Sequence, residues 1–218
     1  MKTTNLIVAA ACAFIVAGCA KEKDGYDKNL TRSEWKIKSA EIVMKEIDKT
    51  DYLDATPDET QIQMDSTHIA GSEYTTVNYQ LNQEVGSPDF FTRTTVKHDF
   101  AGNWIFEEGG AGSFEVTVKR ISTFTEVSGL PGTTVTHSDL PSTNSSSFYW
   151  NWKNNDQQKA NLEFPFYGNQ PVNFNVVELD KEQLVLEYTS ETVSTFQPNA
   201  NTKETQTDRT RILITFEH

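Results

Sequence analysis

His137, Ser138 and Asp139 stand side by side and are the residue types of a hydrolytic triad. A triad needs the three side chains to converge, the histidine taking the serine proton and the carboxylate orienting the imidazole. Neighbours in an extended chain point to opposite sides, and these three lie in a Ser/Thr-rich stretch, so their adjacency reads as chance. The 4 histidines, His68, His98, His137 and His218, are scattered, and none has a second ligand at the spacing of a metal-binding pair. Zinc wants three or four converging ligands, so neither a metal nor another cofactor is expected. Gly109-Gly110-Ala111-Gly112 lacks the strand-to-helix setting of a phosphate-binding loop and reads as a hairpin turn. The aromatic run Phe148-Tyr149-Trp150-Asn151-Trp152 puts Trp150 and Trp152 on one side of an extended chain. Indole rings stack on sugars or line apolar pockets, and the same rings bury large areas when they pack a core. Trp104, Tyr149, Trp150 and Trp152 are therefore the candidate ligand-binding residues, and no catalytic residue is assigned.

The thiol of Cys19 has a different chemistry. Lys2, the apolar stretch from Leu6 to Ala17 and the small residues before Cys19 have the layout of a secretion signal. That stretch is shorter than the roughly 20 residues a membrane-spanning helix needs. Val16-Ala17-Gly18-Cys19 resembles the lipobox of bacterial lipoproteins, in which the thiol is acylated and the preceding peptide bond is cut. This divides the chain into a signal (1–18), a lipidated cysteine with a polar tether (19–30) and a folded domain (31–218). The other cysteine, Cys12, lies inside the signal, so the mature domain has no disulfide and must be held by its core. Its length suffices for one domain. The formal net charge of −12 argues against nucleic acid as a partner, because phosphate binding needs a basic surface.

Alternation with a period of two dominates beyond the tether, and helical periodicity is scarce. In Ser113–Lys119 the side chains of Phe114, Val116 and Val118 fall on one face, with Glu115 and Thr117 on the other. The pattern recurs in Phe148/Trp150/Trp152, Leu162/Phe164, Val172/Phe174/Val176, Leu184/Leu186/Tyr188 and Ile212/Ile214/Phe216. Upstream, Thr75-Val77-Tyr79-Leu81 and Thr92 to Phe100 read as strands, and Trp35-Ile37 as the start of the first. Turn signals separate them at Glu108–Gly112, Gly129–Gly132, Asn154–Asp156 and Glu178–Glu182. The expectation is an all-β antiparallel meander of about eight to ten strands closing into a barrel, since closure removes exposed edges. Closure requires the first strand, near Trp35, to pair with the last, Ile212 to Phe216, which no local pattern reveals. Thr125 to Ser147, rich in Ser, Thr, Gly and Pro, reads as a long loop or hairpin, and Asn199 to Asp208 is similar, with room for the flanking strands to extend into it.

Three pieces carry a family likeness: Leu30-Thr31-Arg32-Ser33-Glu34-Trp35; Gly102-Asn103-Trp104-Ile105-Phe106-Glu107-Glu108-Gly109-Gly110; and Tyr149-Trp150-Asn151-Trp152 leading to Phe174–Leu179 and Glu182–Leu186. Together they resemble the lipocalin-like domain lipoproteins of the Bacteroidota, from about Leu30 to the C-terminus. Glu34 stands where the family has Gly before its first Trp, and Glu108 where the hairpin has Asp. The resemblance implies a small antiparallel barrel, and the lipobox an anchor to the outer membrane through Cys19. Two functions are expected. One is a non-enzymatic binding module for a small apolar molecule or glycan, with a cavity near Trp150 and Trp152. The other is an accessory lipoprotein with a filled barrel that meets a protein partner through loops such as Thr125 to Ser147. Asp65-Ser66-Thr67 also matches the short pattern at which Bacteroidota attach O-glycans, making Ser66 a candidate acceptor.

Overall fold

A computed structural model describes residues 28–53, 58–84, 88–154, 160–166 and 171–218. The expected signal, Cys19 and the expected tether up to residue 27 lie outside these residues. A short helical turn at 28–30 precedes strands β1 (Trp35–Tyr52), β2 (Glu59–Ala70), β3 (Glu73–Glu84), β4 (Phe90–Phe106), β5 (Ala111–Val127) and β6 (Thr133–Thr136). Then come β7 (Ser142–Tyr149), β8 (Asn151–Asn154), β9 (Ala160–Pro165), β10 (Pro171–Leu179), β11 (Gln183–Asn199) and β12 (Thr202–Glu217). All 12 belong to one antiparallel sheet with the order β6-β5-β4-β3-β2-β1-β12-β11-β10-β9-β8, and β7 pairs with β5. The all-β, barrel-like meander is thus as expected.

The strand count exceeds the expected eight to ten for two reasons. Thr125 to Ser147 holds β6 and β7, both paired with β5 rather than looped out. Trp150 also interrupts what would have been one strand, dividing β7 from β8. Likewise most of Asn199 to Asp208 is strand: β12 begins at Thr202, and only Ala200 and Asn201 turn between β11 and β12, with Asn199 opposite Thr202. Threonine-rich segments fit a pleated, half-buried surface, so polarity alone did not mark them as loops.

Closure comes from the two ends of the chain. Ile37 pairs with Phe216, Ala40 with Ile214 and Ile42 with Ile212, bringing β1 against β12. At the same end β1 also meets β4, with Trp35 opposite Trp104 and Lys36 opposite Asn103. Further along, β1 and β4 part and the β2-β3 hairpin fills the gap between them. The segment β7-Trp150-β8 pairs first with β5 and then with β9, so the pairing returns to its start through β10, β11 and β12.

Alternation fills this ring. Trp35, Ile37, Trp104, Phe106, Phe148, Trp150, Phe164, Phe174, Leu186, Ile214 and Phe216 all turn inward and are buried in one apolar cluster. A bulge between Ile37 and Ser39 keeps both Trp35/Ile37 and Ala40/Ile42 on the inner side. Beyond Ile42, Ile69, Phe100 and Ile212 no described residue is buried on either face of β1, β2, β3, β4 or β12. Here the strands continue as a single-layer extension of the sheet.

Candidate functional site

The hairpin β4-β5 sets the position of the candidate aromatics. Gly109 (φ 88°) and Gly110 (φ 91°) take the left-handed conformations that close the turn, a geometry L-residues with a Cβ rarely adopt. The Glu107 amide donates to the Ala111 carbonyl at 2.8 Å, fixing the register that follows. This register puts Trp104 opposite Phe114 and Phe106 opposite Gly112. Gly112 lies under the Phe148 ring: a Cβ there would stand 2.5 Å from a ring carbon. A glycine is needed because the aromatic ring occupies the space of its side chain.

Trp150 is a core residue with a satisfied indole. Its Nε1 donates to the Ala111 carbonyl at 2.7 Å and its amide to the Gly110 carbonyl at 2.8 Å. Its ring meets Phe106 edge-on at 6.1 Å, and Trp152 packs edge-on against it at the same distance. Trp104 is buried between Phe114, Phe166 and Phe216. Trp35 donates from Nε1 to the Leu30 carbonyl at 2.8 Å, and the His218 ring covers it at 3.8 Å. Leu30, the last residue of the expected tether, is itself fully buried and belongs to this core. Of the four candidates the structure brings Trp104, Trp150 and Trp152 into the aromatic cluster, whereas Tyr149 is 85% exposed on the outer side.

Among the described residues no polar or charged residue is buried as a whole. Small-molecule sites are concave and carry a few placed polar groups, and none converges inside this ring. A depression of about 510 Å3 opens on the surface instead, lined by Glu34, Asn103, Ile105, Phe114, Glu115 and Ser145–Ser147. Tyr149 lies two positions along β7 from Ser147, on the same side of the strand. The sequence singles out Tyr149 and offers these serines only as part of the Asn144-Ser145-Ser146 sequon, with no binding role.

The remaining candidates resolve into structural roles. The His137 ring meets Thr123 Oγ1 at 2.9 Å, while the Asp139 carboxylate accepts from Arg120 Nε at 2.8 Å. His137 and Asp139 therefore brace the segment between β6 and β7 against β5, and they do not converge on Ser138. Ser66 sits in mid-strand on β2, between Val43 of β1 and Val77 of β3. His98 stacks on Tyr74 at 4.8 Å, at the mouth of the packed ring. Burial lowers its pKa below the ordinary imidazole value; a backbone hydrogen bond at Tyr74 opposes this and the Arg120 charge adds to it. Asp180 Oδ1 accepts from the Glu182 and Gln183 amides at 2.7 and 2.9 Å, shaping the β10-β11 turn, and these bonds lower its pKa.

Among the described residues no group of three His, Cys, Asp or Glu is placed to hold a metal ion. No described helix is long and apolar enough to cross a membrane. No protein-family profile matches the chain, and no curated protein matches it significantly.

Proposed function

We propose that this chain is a non-enzymatic accessory lipoprotein of the bacterial outer membrane, anchored through Cys19, whose barrel is a rigid support for a protein-binding surface. The observation that carries the reading is the packed aromatic interior, in which Trp104 and Trp150 meet other rings and backbone carbonyls where a ligand would otherwise sit. Recognition then belongs to the outside. The stretch Thr125 to Ser147 presents Leu130, Val135 and Leu140 at 65%, 55% and 87% exposure, a run of apolar side chains that a solvated hairpin has no need of. Arg120, Asp139, Thr123 and His137 hold that stretch in place, so it is presented in a preformed shape.

The test is a photo-crosslinking amino acid at Leu140 in the membrane-anchored protein in its native cells. The reading expects one dominant protein adduct that disappears when Leu130 and Val135 are changed to Ser. A pattern unchanged by those substitutions would contradict it.

A second reading is favoured by one observation, the hydroxyl-rich depression beside Tyr149. An exposed ring two positions along β7 from Ser147, with the Ser145–Glu115 pair further along the same face, is a combination that grips a sugar, by stacking on one face and hydrogen bonding at the edges. On that reading the ligand is a glycan held outside the barrel, and Tyr149→Ala removes its binding while leaving the Leu140 adduct intact.

A further inference from the structure

The single-layer extension has two unlike faces. Register sets which residues share each one, because paired residues in antiparallel strands point the same way. On the face continuous with the barrel interior the charged residues beyond Met44 are Glu46, Asp48, Glu59, Asp65, Glu204 and Asp208, with no lysine or arginine. The opposite face carries Lys45, Lys49, Arg93, Lys203, Arg209 and Arg211, against Glu126 and Glu191 and, at the strand end, Asp51. A chain of net charge −12 thus gathers the cations of this region on one side.

That side is also the apolar one. Val193, Ile47, Ile62, Leu81 and Phe91 follow one another across β11, β1, β2, β3 and β4 in a single row, broken only by Thr207. The next row holds Met64 and Tyr79 between Lys45 and Arg93, with Tyr79 stacked on Phe91 at 6.1 Å. None of these is buried, and Val193 is 58% exposed. Lys45 lies directly opposite Arg209, a like-charge pairing that destabilises a sheet by itself. Only Arg209 has an acidic partner, Glu191 at 3.1 Å; among the described residues Lys45 and Arg211 have none within salt-bridge distance. The three cations border a shallow depression of about 410 Å3.

We infer that this face docks on an anionic lipid bilayer. An apolar row flanked by long cationic side chains fits the bilayer interface: the row enters the boundary between head groups and acyl chains, and the lysines and arginines reach the phosphates. The acidic opposite face, repelled by the same surface, fixes which side faces down. The inference is independent of the function proposed above and needs no lipid on Cys19.

The experiment uses the full chain with Cys12→Ser and Cys19→Ser, and sedimentation with vesicles of phosphatidylcholine alone or with phosphatidylglycerol added. Residues 1–18 are common to parent and variants, so the comparison that decides is between them on the same anionic vesicles. The expected result is binding at least about tenfold tighter to the anionic vesicles, weakened about tenfold or more by K45Q/R211Q. Q61E/Q80E changes the net charge equally from the acidic face and is expected to leave binding within about twofold. In the same background an environment-sensitive dye on Leu81→Cys is expected to shift to the blue on anionic vesicles, whereas on Gln80→Cys, one residue away on the other face, it is not. Equal losses from the two charge variants, no preference for anionic lipid, or equal dye shifts would overturn the inference. A blue shift at Leu81→Cys without vesicles, accompanied by dimer formation, would also overturn it and assign the face to a second copy of the chain.

Discussion

Gly112 condenses the account of the interior into one atom. A methyl placed there meets the Phe148 ring and the Ile105 carbonyl at under 3 Å. Overpacking of this kind costs about 1–3 kcal/mol, so Gly112→Ala is expected to lower the unfolding free energy by that amount in a urea titration. Trp104→Ala, which opens a void among Phe114, Phe166 and Phe216, is expected to cost about 3–5 kcal/mol. His98 gives a pH signature. Its folded pKa lies below its unfolded one, so the unfolded chain binds the proton more readily. Stability is then intact above the unfolded value of about 6.5 and falls as the pH drops below it, levelling off once the folded value is passed. His98→Phe keeps a ring against Tyr74 and removes the proton. The difference in melting temperature between variant and parent is expected to shift in favour of the variant from pH 7.5 to pH 5.5; a pH-independent difference would show that His98 does not titrate this way.

Within one strand the chain passes from core to open sheet. β1 contributes Trp35, Ile37, Ala40 and Ile42 to the packed ring, then runs on through Lys45 and Ile47 with solvent on both faces. Hydrogen exchange should report this change: amides of Ile37–Ile42 are expected to exchange only by global unfolding, and those of Ile47–Tyr52 through local opening at lower free energy. Uniform protection along β1 would contradict a single-layer extension. The same feature explains what was legible in the sequence. Phe114/Val116/Val118 and Ile212/Ile214/Phe216 alternate with the core side, and the structure places them there. Thr75-Val77-Tyr79-Leu81 alternates equally well, yet its apolar side faces away from the barrel interior, because alternation reveals that two faces differ and not which one a neighbour covers. The strands in Thr125 to Ser147 were hidden for another reason. Their hydrogen bonds go to β5, and a Ser/Thr-rich edge strand needs no apolar side chain to make them. Tyr149 was visible as an aromatic, while Glu115 and Asn103 came to flank Ser145 only through the pairing of β7 with β5 and of β5 with β4.

At the scale of the whole molecule, a filled barrel and an extended sheet divide the work: one supplies stability, the other surface. The barrel end gathers the two chain ends, with His218 lying on Trp35 and its ring bonded to Ser33 at 2.7 Å. The central claim is that nothing occupies the barrel but its own side chains. It is tested most directly by a crystal structure of the protein purified from its native cells, inspected for density within the ring of Trp104, Phe106, Trp150, Phe164 and Phe216. The account predicts continuous side-chain packing there with no additional density. An apolar void of roughly 300 Å3 or more holding a bound molecule would contradict it and make the barrel a carrier.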